Sequence, residues 1–282
     1  MGVSLLRILS RMVSSLGSEK TEYVTSYQPS LLEKVSRKKQ RHRLGLKAKK
    51  LPFGGHDVWN AYEFTWLNPK GKPEVALAQL KIPIVSENIV ESKSLKLYLC
   101  SFSKTSFNNQ AELIGTLEAD LAKAFGGPVS VILKNPDQVS REGIKSREGK
   151  SIDDLDIDIS DYQIESSHLV LEAESSASEM LYTDLFMSLC PITGQPDYAT
   201  VSVTYSGNRI SHKGLLRYLV SYRDHADFAE QTCERFFNDI LEQCNPDALA
   251  VGLQFSRRGG VDINAYRIRG IKEPEFIRNW RQ

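Results

Sequence analysis

The chain has 282 residues, 41% of them hydrophobic and 25% charged, the profile of a globular protein of about two average domains. That composition excludes a chain disordered throughout, a fibrous repeat and a disulfide scaffold. Thirty-six Lys and Arg against 35 Asp and Glu leave a net charge of +1, so no global field draws the chain to nucleic acid or to a membrane surface.

Residues 1–17 are mildly amphipathic, and Arg7 interrupts the apolar core that a secretory signal requires. No apolar run approaches the ~20 residues needed to span a bilayer. This stretch reads as an extension, and with the following residues it forms an N-terminal extension and connector, 1–50. Arg37 to Lys50 is strongly basic but lacks interleaved aromatics, so a solvated connector is expected there instead of an RNA contact.

A first unit, 51–175, follows. Asp57 to Asn68 alternates and is rich in aromatics, Pro69-Lys70-Gly71-Lys72-Pro73 makes a turn, and Val75 to Val85 completes a hairpin. Glu91 to Phe102 has helical spacing. Asn109 to Phe125 is a clearer amphipathic helix, closed by Gly126-Gly127-Pro128. Val129 to Lys134 and His168 to Glu172 are strand candidates. Between them, Asp153 to Asp161 carries alternating carboxylates without the mid-loop Gly and closing Glu of a calcium loop, so an exposed strand with one acidic face is expected.

The second unit, 176–282, repeats the order. Ser178 to Leu189 is ambiguous between helix and strand, and Tyr198 to Tyr205 is a strand by its β-branched alternation. Lys213 to Tyr222 and Phe228 to Cys244 are amphipathic helices. Ala248 to Ser256 and Gly260 to Arg267 form a hairpin around Arg257-Arg258-Gly259. Two such units predict a duplicated α+β fold with antiparallel sheets.

Conventional motifs are few. The five His are scattered, no metal-ligand spacing is present, and neither GxGxxG nor GxxxxGK[ST] occurs, so no metal or classical nucleotide loop is expected. The four Cys lie far apart without a CxxC pair, which reads as a reduced, cytoplasmic protein. Cys190 stands out. Alone it would read as a small buried hydrophobe, but Pro191 to Pro196 makes a turn that can return Asp197 toward the sulfur. A thiolate with a carboxylic acid beside it is a pair for covalent addition and protonation.

Here the chain resembles a family. Glu91-Ser92-Lys93-Ser94-Leu95-Lys96-Leu97-Tyr98-Leu99 with Ser101-Phe102 is similar to the signature of the NADPH-dependent 7-cyano-7-deazaguanine reductases, nitrile reductases of queuosine biosynthesis. The likeness extends through Leu51-Pro52-Phe53, Cys190 to Asp197, Leu215 to Arg223, and Arg257 to Asn264, about residues 20 to 268 in all. It implies tandem tunnelling-fold modules, each strand-strand-helix-helix-strand-strand. It also implies a reaction in which Cys190 adds to a nitrile carbon to give a thioimide, Asp197 donates the proton, and two NADPH are consumed per turnover. By the same resemblance Glu230 accepts from the donor edge of the deazaguanine and Phe228 stacks on it, while Val90, Glu91 and Ser92 touch the substrate from the first unit. Ser92 with Lys93, and Arg258 with Gly259, would contact NADPH. A homodimer without direct nucleic-acid or membrane partners is implied.

The chain departs from the family pattern at one place. Where the family has Phe-His-Glu-Gln-Cys, this chain has Phe228-Ala229-Glu230-Gln231-Thr232, and Ala229 cannot shuttle a proton. Two alternatives stand beside the reductase reading. One is a pterin or purine ring-opening hydrolase, which would need metal ligands this sequence does not present. The other is a catalytically impaired purine-binding protein, motivated by Ala229.

Overall fold

The computed structural model describes residues 23–46, 50–160, 162–272 and 276–282; the expected extension at 1–17 lies outside the described residues. Its strands are β1 (Lys34–Ser36), β2 (Gly54–Leu67), β3 (Pro73–Pro83), β4 (Asn88–Val90), β5 (Ser130–Lys134), β6 (Lys150–Ser151), β7 (Leu171–Leu189), β8 (Pro196–Ile210), β9 (Ala248–Phe255) and β10 (Val261–Arg269). Its helices are α1 (Arg37–Arg43), α2 (Ser92–Cys100), α3 (Gln110–Phe125), α4 (Pro136–Glu142), α5 (His212–Val220) and α6 (Ala229–Cys244).

Eight strands make one sheet in the order β5-β3-β2-β10-β9-β8-β7-β6, and β1 pairs with β4 alone. Every ladder is antiparallel except the short β6–β7 pair. The seam between the units is β2 against β10, with Trp59 opposite Ile263. The α+β tandem is therefore a single continuous surface.

Helices cover one face, and their sequences say why. In α3, Leu113, Leu117, Leu121 and Phe125 recur every four residues and are fully buried. Asn109 accepts from the Glu112 N–H at one end, and Gly126 closes the other at φ +68. In α6, Phe236, Phe237 and Ile240 do the same work against β9 and β10. Burying each such side chain stabilises the fold by roughly 1.5–3 kcal/mol. The duplication reaches individual bonds. Tyr98 donates to Asp120 (2.8 Å) and Tyr218 to Asp239 (2.6 Å), while Ser101 and Ser221 donate to the carbonyls of those same tyrosines.

Four expectations change. Ser178 to Leu189 resolves as strand, the C-terminal part of β7. His168 to Glu172 does not give the first unit a fourth strand: Ser166–His168 is a 3-10 turn, and Leu171 opens β7 opposite Ile210 of the second unit. Among the described residues of Asp153 to Asp161 there is no strand; Leu155, Ile157 and Ile159 pack on the core instead, so these apolar residues anchor a loop. Finally, the basic run is solvated only in part. Its Arg37–Arg43 forms α1, with Lys38, Lys39 and Arg43 exposed but Arg37 and Arg41 buried, because carboxylates from distant elements meet them.

Candidate active site

The β7–β8 hairpin builds the reactive end. Cys190 N–H donates to Gln195 O and Gly194 N–H to Cys190 O, both at 2.9 Å, a tight loop that needs the left-handed φ of +68 at Gly194. Leu189 N–H donates to His225 O (2.8 Å), which ties this strand end to the loop before α6. Asp197 sits at the start of β8, opposite Ser188.

One cavity gathers Cys190, Asp197 and Arg258 with Val90, Glu91 and Ser92 from the first unit and Phe228, Ala229 and Glu230 from the second. The site thus spans the β2–β10 seam, and neither unit supplies it alone. Of the residues singled out in the sequence, Lys93 and Gly259 lie outside this lining. Gly259 belongs to an adjoining groove that shares Lys96 and Val261 with the cavity. A Cβ at Gly259 would come within 3.3 Å of the Lys96 side chain on a backbone of φ +59, so the turn holds glycine where the groove meets the cavity.

Electrostatics tune the pair at the hairpin in opposite senses. Burial alone would raise the Cys190 thiol, but hydrogen bonds from the Thr193 hydroxyl and N–H, the Ile192 N–H and the Arg258 guanidinium outweigh it and hold the thiol below its ordinary range. Burial pushes the Asp197 carboxyl up, and it prevails over the pull of Arg258 and Lys96. Arg258 donates to Asp197 Oδ1 and to Gln195 Oε1, each at 2.6 Å. The thiol moves toward thiolate and the acid toward its protonated form, which is what addition followed by protonation requires.

The two acidic residues of the cavity differ in kind. Glu91 caps α2, its carboxylate accepting from the Lys93 N–H (3.0 Å) and the Ser94 N–H (2.8 Å). Glu230 takes a hydrogen bond from its own backbone N–H. It is 3% exposed, its Oε1 has no hydrogen-bond partner, and burial followed by the repulsion of Asp57 raises its pKa to about 7. Trp59, fully buried on β2, adds an unpartnered Nε1–H to the same cavity. A buried acceptor and a buried donor left open in one cavity suit a flat heterocycle with polar edges.

Sequence reasoning missed Trp59, Lys96 and Asp227, all in the lining. Lys96 stands inside the quoted Glu91 to Leu99 motif and could have been found there. His225, the nearest histidine to Ala229, does not line the cavity; its Nε2 meets Asp227 Oδ2 at 3.1 Å. Ala229 itself faces the cavity at the start of α6. Replacing it, Ala229→His, should therefore raise steady-state turnover, since positioned proton transfer contributes roughly 10²–10⁴-fold where fully used. Turnover unchanged or lowered in that variant would deny the position any such role.

Comparison with known proteins fits this arrangement. A family model described as nitrile reductase, 7-cyano-7-deazaguanine-reductase N-term, matches residues 23–133. A second, described as QueF-like protein, matches residues 196–273. Cys190 falls between the two spans. A relative from Dechloromonas aromatica (strain RCB) is 44% identical over 263 residues, 93% of both chains. One from Burkholderia lata is 45% identical over 93% of this chain and 96% of its own. One from Desulfotalea psychrophila is 47% identical over 86% of this chain and 88% of its own. All three are named NADPH-dependent 7-cyano-7-deazaguanine reductase. Among solved structures, one of the archaeosine synthase QueF-Like in the apo form covers 36% of this chain and 100% of that one at 20% identity and TM-score 0.31, too slight a likeness to add weight. At such identity over nearly the whole of both sequences, this chain belongs to the NADPH-dependent 7-cyano-7-deazaguanine reductase family.

Proposed function

We propose that this chain reduces the nitrile 7-cyano-7-deazaguanine to its aminomethyl product with NADPH, through a covalent intermediate on Cys190. The observation that carries the assignment of residues is the hairpin that delivers a lowered thiol and a raised carboxyl into one cavity with the open Glu230 carboxylate. The Cys190 thiolate attacks the nitrile carbon, forming a C–S bond while one C≡N electron pair moves to nitrogen. Asp197 gives its proton to that nitrogen, and a thioimide results. A thioimide is a better electrophile than a free nitrile. Glu230 and Phe228 hold the base, with Val90, Glu91 and Ser92 closing the other side of the cavity.

The residues present fit NADPH. The groove beside the cavity offers Lys96 and the Gly259-Gly260 turn, Ser92 and Arg258 line the cavity that shares Lys96 with it, and Lys93 follows Ser92 in the first turn of α2. Bound there, NADPH would supply the hydrides of the two successive two-electron reductions that take a nitrile to an amine, the accompanying protons coming from acidic groups of the site and from water, while Cys190 is freed as thiolate after the first. Lys93 and Arg258 then discriminate the 2′-phosphate that NADH lacks. A charge-assisted contact is worth roughly 1.5–3 kcal/mol, so a preference of about tenfold or more is expected. Steady-state assays should show two NADPH oxidised per nitrile consumed, with kcat/KM for NADH lower by that factor. A stoichiometry of one, or equal use of NADH, would overturn the reading.

The same reading places the protein in the cytoplasm, in keeping with four cysteines that are all free thiols. It also makes the chain a homodimer, with β5, at the edge of the sheet, exposing Ile132 to a partner. Among the described residues no helix is long and apolar enough to cross a membrane.

A further inference from the structure

Beneath the cavity six charged side chains are buried together: Arg37, Arg41, Asp57, Glu230, Glu234 and Arg267, none more than 5% exposed. Arg41 binds Glu234 through two bonds (2.7 and 2.9 Å) and the Ile84 carbonyl (2.9 Å). Arg37 is held differently. Its Nη2 meets Asp57 Oδ2 at 2.5 Å, and its Nε donates to Ser86 Oγ (3.0 Å) and the Asn88 carbonyl (3.3 Å). The other Asp57 oxygen accepts from Arg267 Nη1 (2.8 Å), whose Nη2 donates to the Glu230 backbone carbonyl (3.4 Å) and to Glu234 (3.1 Å). A path of direct contacts thus runs from the basic segment, through Asp57 and Arg267, to the first turn of α6.

The charge count gives the path a purpose. Three guanidiniums face two carboxylates that are fully engaged, Asp57 and Glu234, and the third carboxylate is Glu230, open to the cavity. Buried charges are tolerated when balanced, and here the balance closes only with Glu230 ionised. We propose that Arg37 is a positioning residue for substrate recognition, which by neutralising Asp57, and together with Arg267, keeps Glu230 an anion facing the bound base. The proposal rests on the reading of Glu230 as the carboxylate that accepts from the deazaguanine donor edge.

The groups that bear on Glu230 oppose one another. Burial and Asp57 on β2 disfavour its charge, while Arg37 on α1 and Arg267 on β10 favour it. Glu234 and Cys233 share its helix, and across the cavity stand Glu91, Lys96, Cys190, Asp197, Asp227 and Arg258. Removing Arg37 therefore raises the pH at which Glu230 ionises, and removing Asp57 lowers it. A purely structural role predicts no such opposition of sign.

The test measures the dissociation constant of 7-cyano-7-deazaguanine against pH in a Cys190→Ala background, where thiol titration and covalent capture drop out. Binding should weaken on the acid side of about pH 7, and Glu230→Gln should abolish that limb. Arg37→Gln should move the limb up by about one pH unit, and Asp57→Asn should move it down. Arg37→Lys, which keeps the charge, should leave it in place. A folded Arg37→Gln protein with an unmoved limb overturns the proposal, and so do shifts of Gln and Asn variants in the same direction. Should Arg37→Gln fail to fold, the Lys and Asn variants decide: a limb held by Lys and lowered by Asn supports the proposal, and any other pattern overturns it. If the Cys190→Ala background binds no nitrile at any pH, the functional reading falls as well, which separates the two failures.

Discussion

Replacing Cys190 with alanine should abolish the covalent adduct and lower turnover by roughly 10⁴-fold or more, the scale seen when the nucleophile of a covalent mechanism is removed. The parent chain mixed with 7-cyano-7-deazaguanine in the absence of NADPH should gain the full mass of the nitrile, since thiol addition expels nothing. In Cys190→Ala that mass shift should vanish. Affinity for the nitrile should stay nearly unchanged, because the residues proposed to hold the base, Glu230 and Phe228, stand on another element of the cavity. The side chain is only half-buried in a surface hairpin, so its truncation should cost little stability. An adduct that persists in the alanine variant would move the nucleophile elsewhere. Cys233 is a poor substitute, being fully buried with its thiol raised to about 12.

What the sequence made visible follows from the range of the interactions. The β2–β3 hairpin was legible because its turn residues, Asn68 to Lys72, carry their own hydrogen bonds: Asn68 Oδ1 accepts from the N–H groups of Lys70 and Lys72. The ends of α3 were legible in Asn109 and Gly126 for the same reason. The Cys190 turn also declares itself, since Pro191, Gly194 and Pro196 leave the backbone few other routes. By contrast, the burial of Arg37 and Arg41 depends on Asp57 and Glu234, the latter about two hundred residues along the chain. A run of Lys and Arg read locally is a solvated face; only the fold supplies its anions. Trp59 was hidden in a strand whose residues are buried on both faces, so alternation gave no hint of which side meets the cavity. Ala229 presents the opposite case. The residue type was plain, but its place in the cavity lining, and the pairing of His225 with Asp227, needed the structure.

Asp197 should be the second most sensitive position. Its carboxyl is the acidic group that the Cys190 hairpin brings to the cavity, and burial keeps it protonated to higher pH than usual. In Asp197→Asn the thiolate can still attack, but the nitrogen that receives the electron pair has no positioned proton, and adduct formation should slow by roughly 10²–10⁴-fold. The sign of the pH dependence separates this role from a structural one. In the parent, adduct formation should fall in acid as the Cys190 thiolate takes a proton, an event displaced below the ordinary thiol range. It should fall again in alkali as Asp197 loses its proton, displaced above the ordinary carboxyl range. The two limbs belong to an interacting pair, so the apparent values describe the pair together. Asn carries no titrating proton, and the alkaline limb should disappear while the acid limb remains. Losing Asp197 also frees Arg258, whose Nη1 holds it at 2.6 Å. Arg258 keeps Gln195 and then bears on Cys190 without an opposing carboxylate, which favours the thiolate further. Rapid-mix mass spectrometry of the adduct between pH 5 and 9 would read both limbs. An alkaline limb that survives Asp197→Asn would assign the proton to another group, the candidate being Lys96, which lines the same cavity and whose ammonium burial makes more acidic.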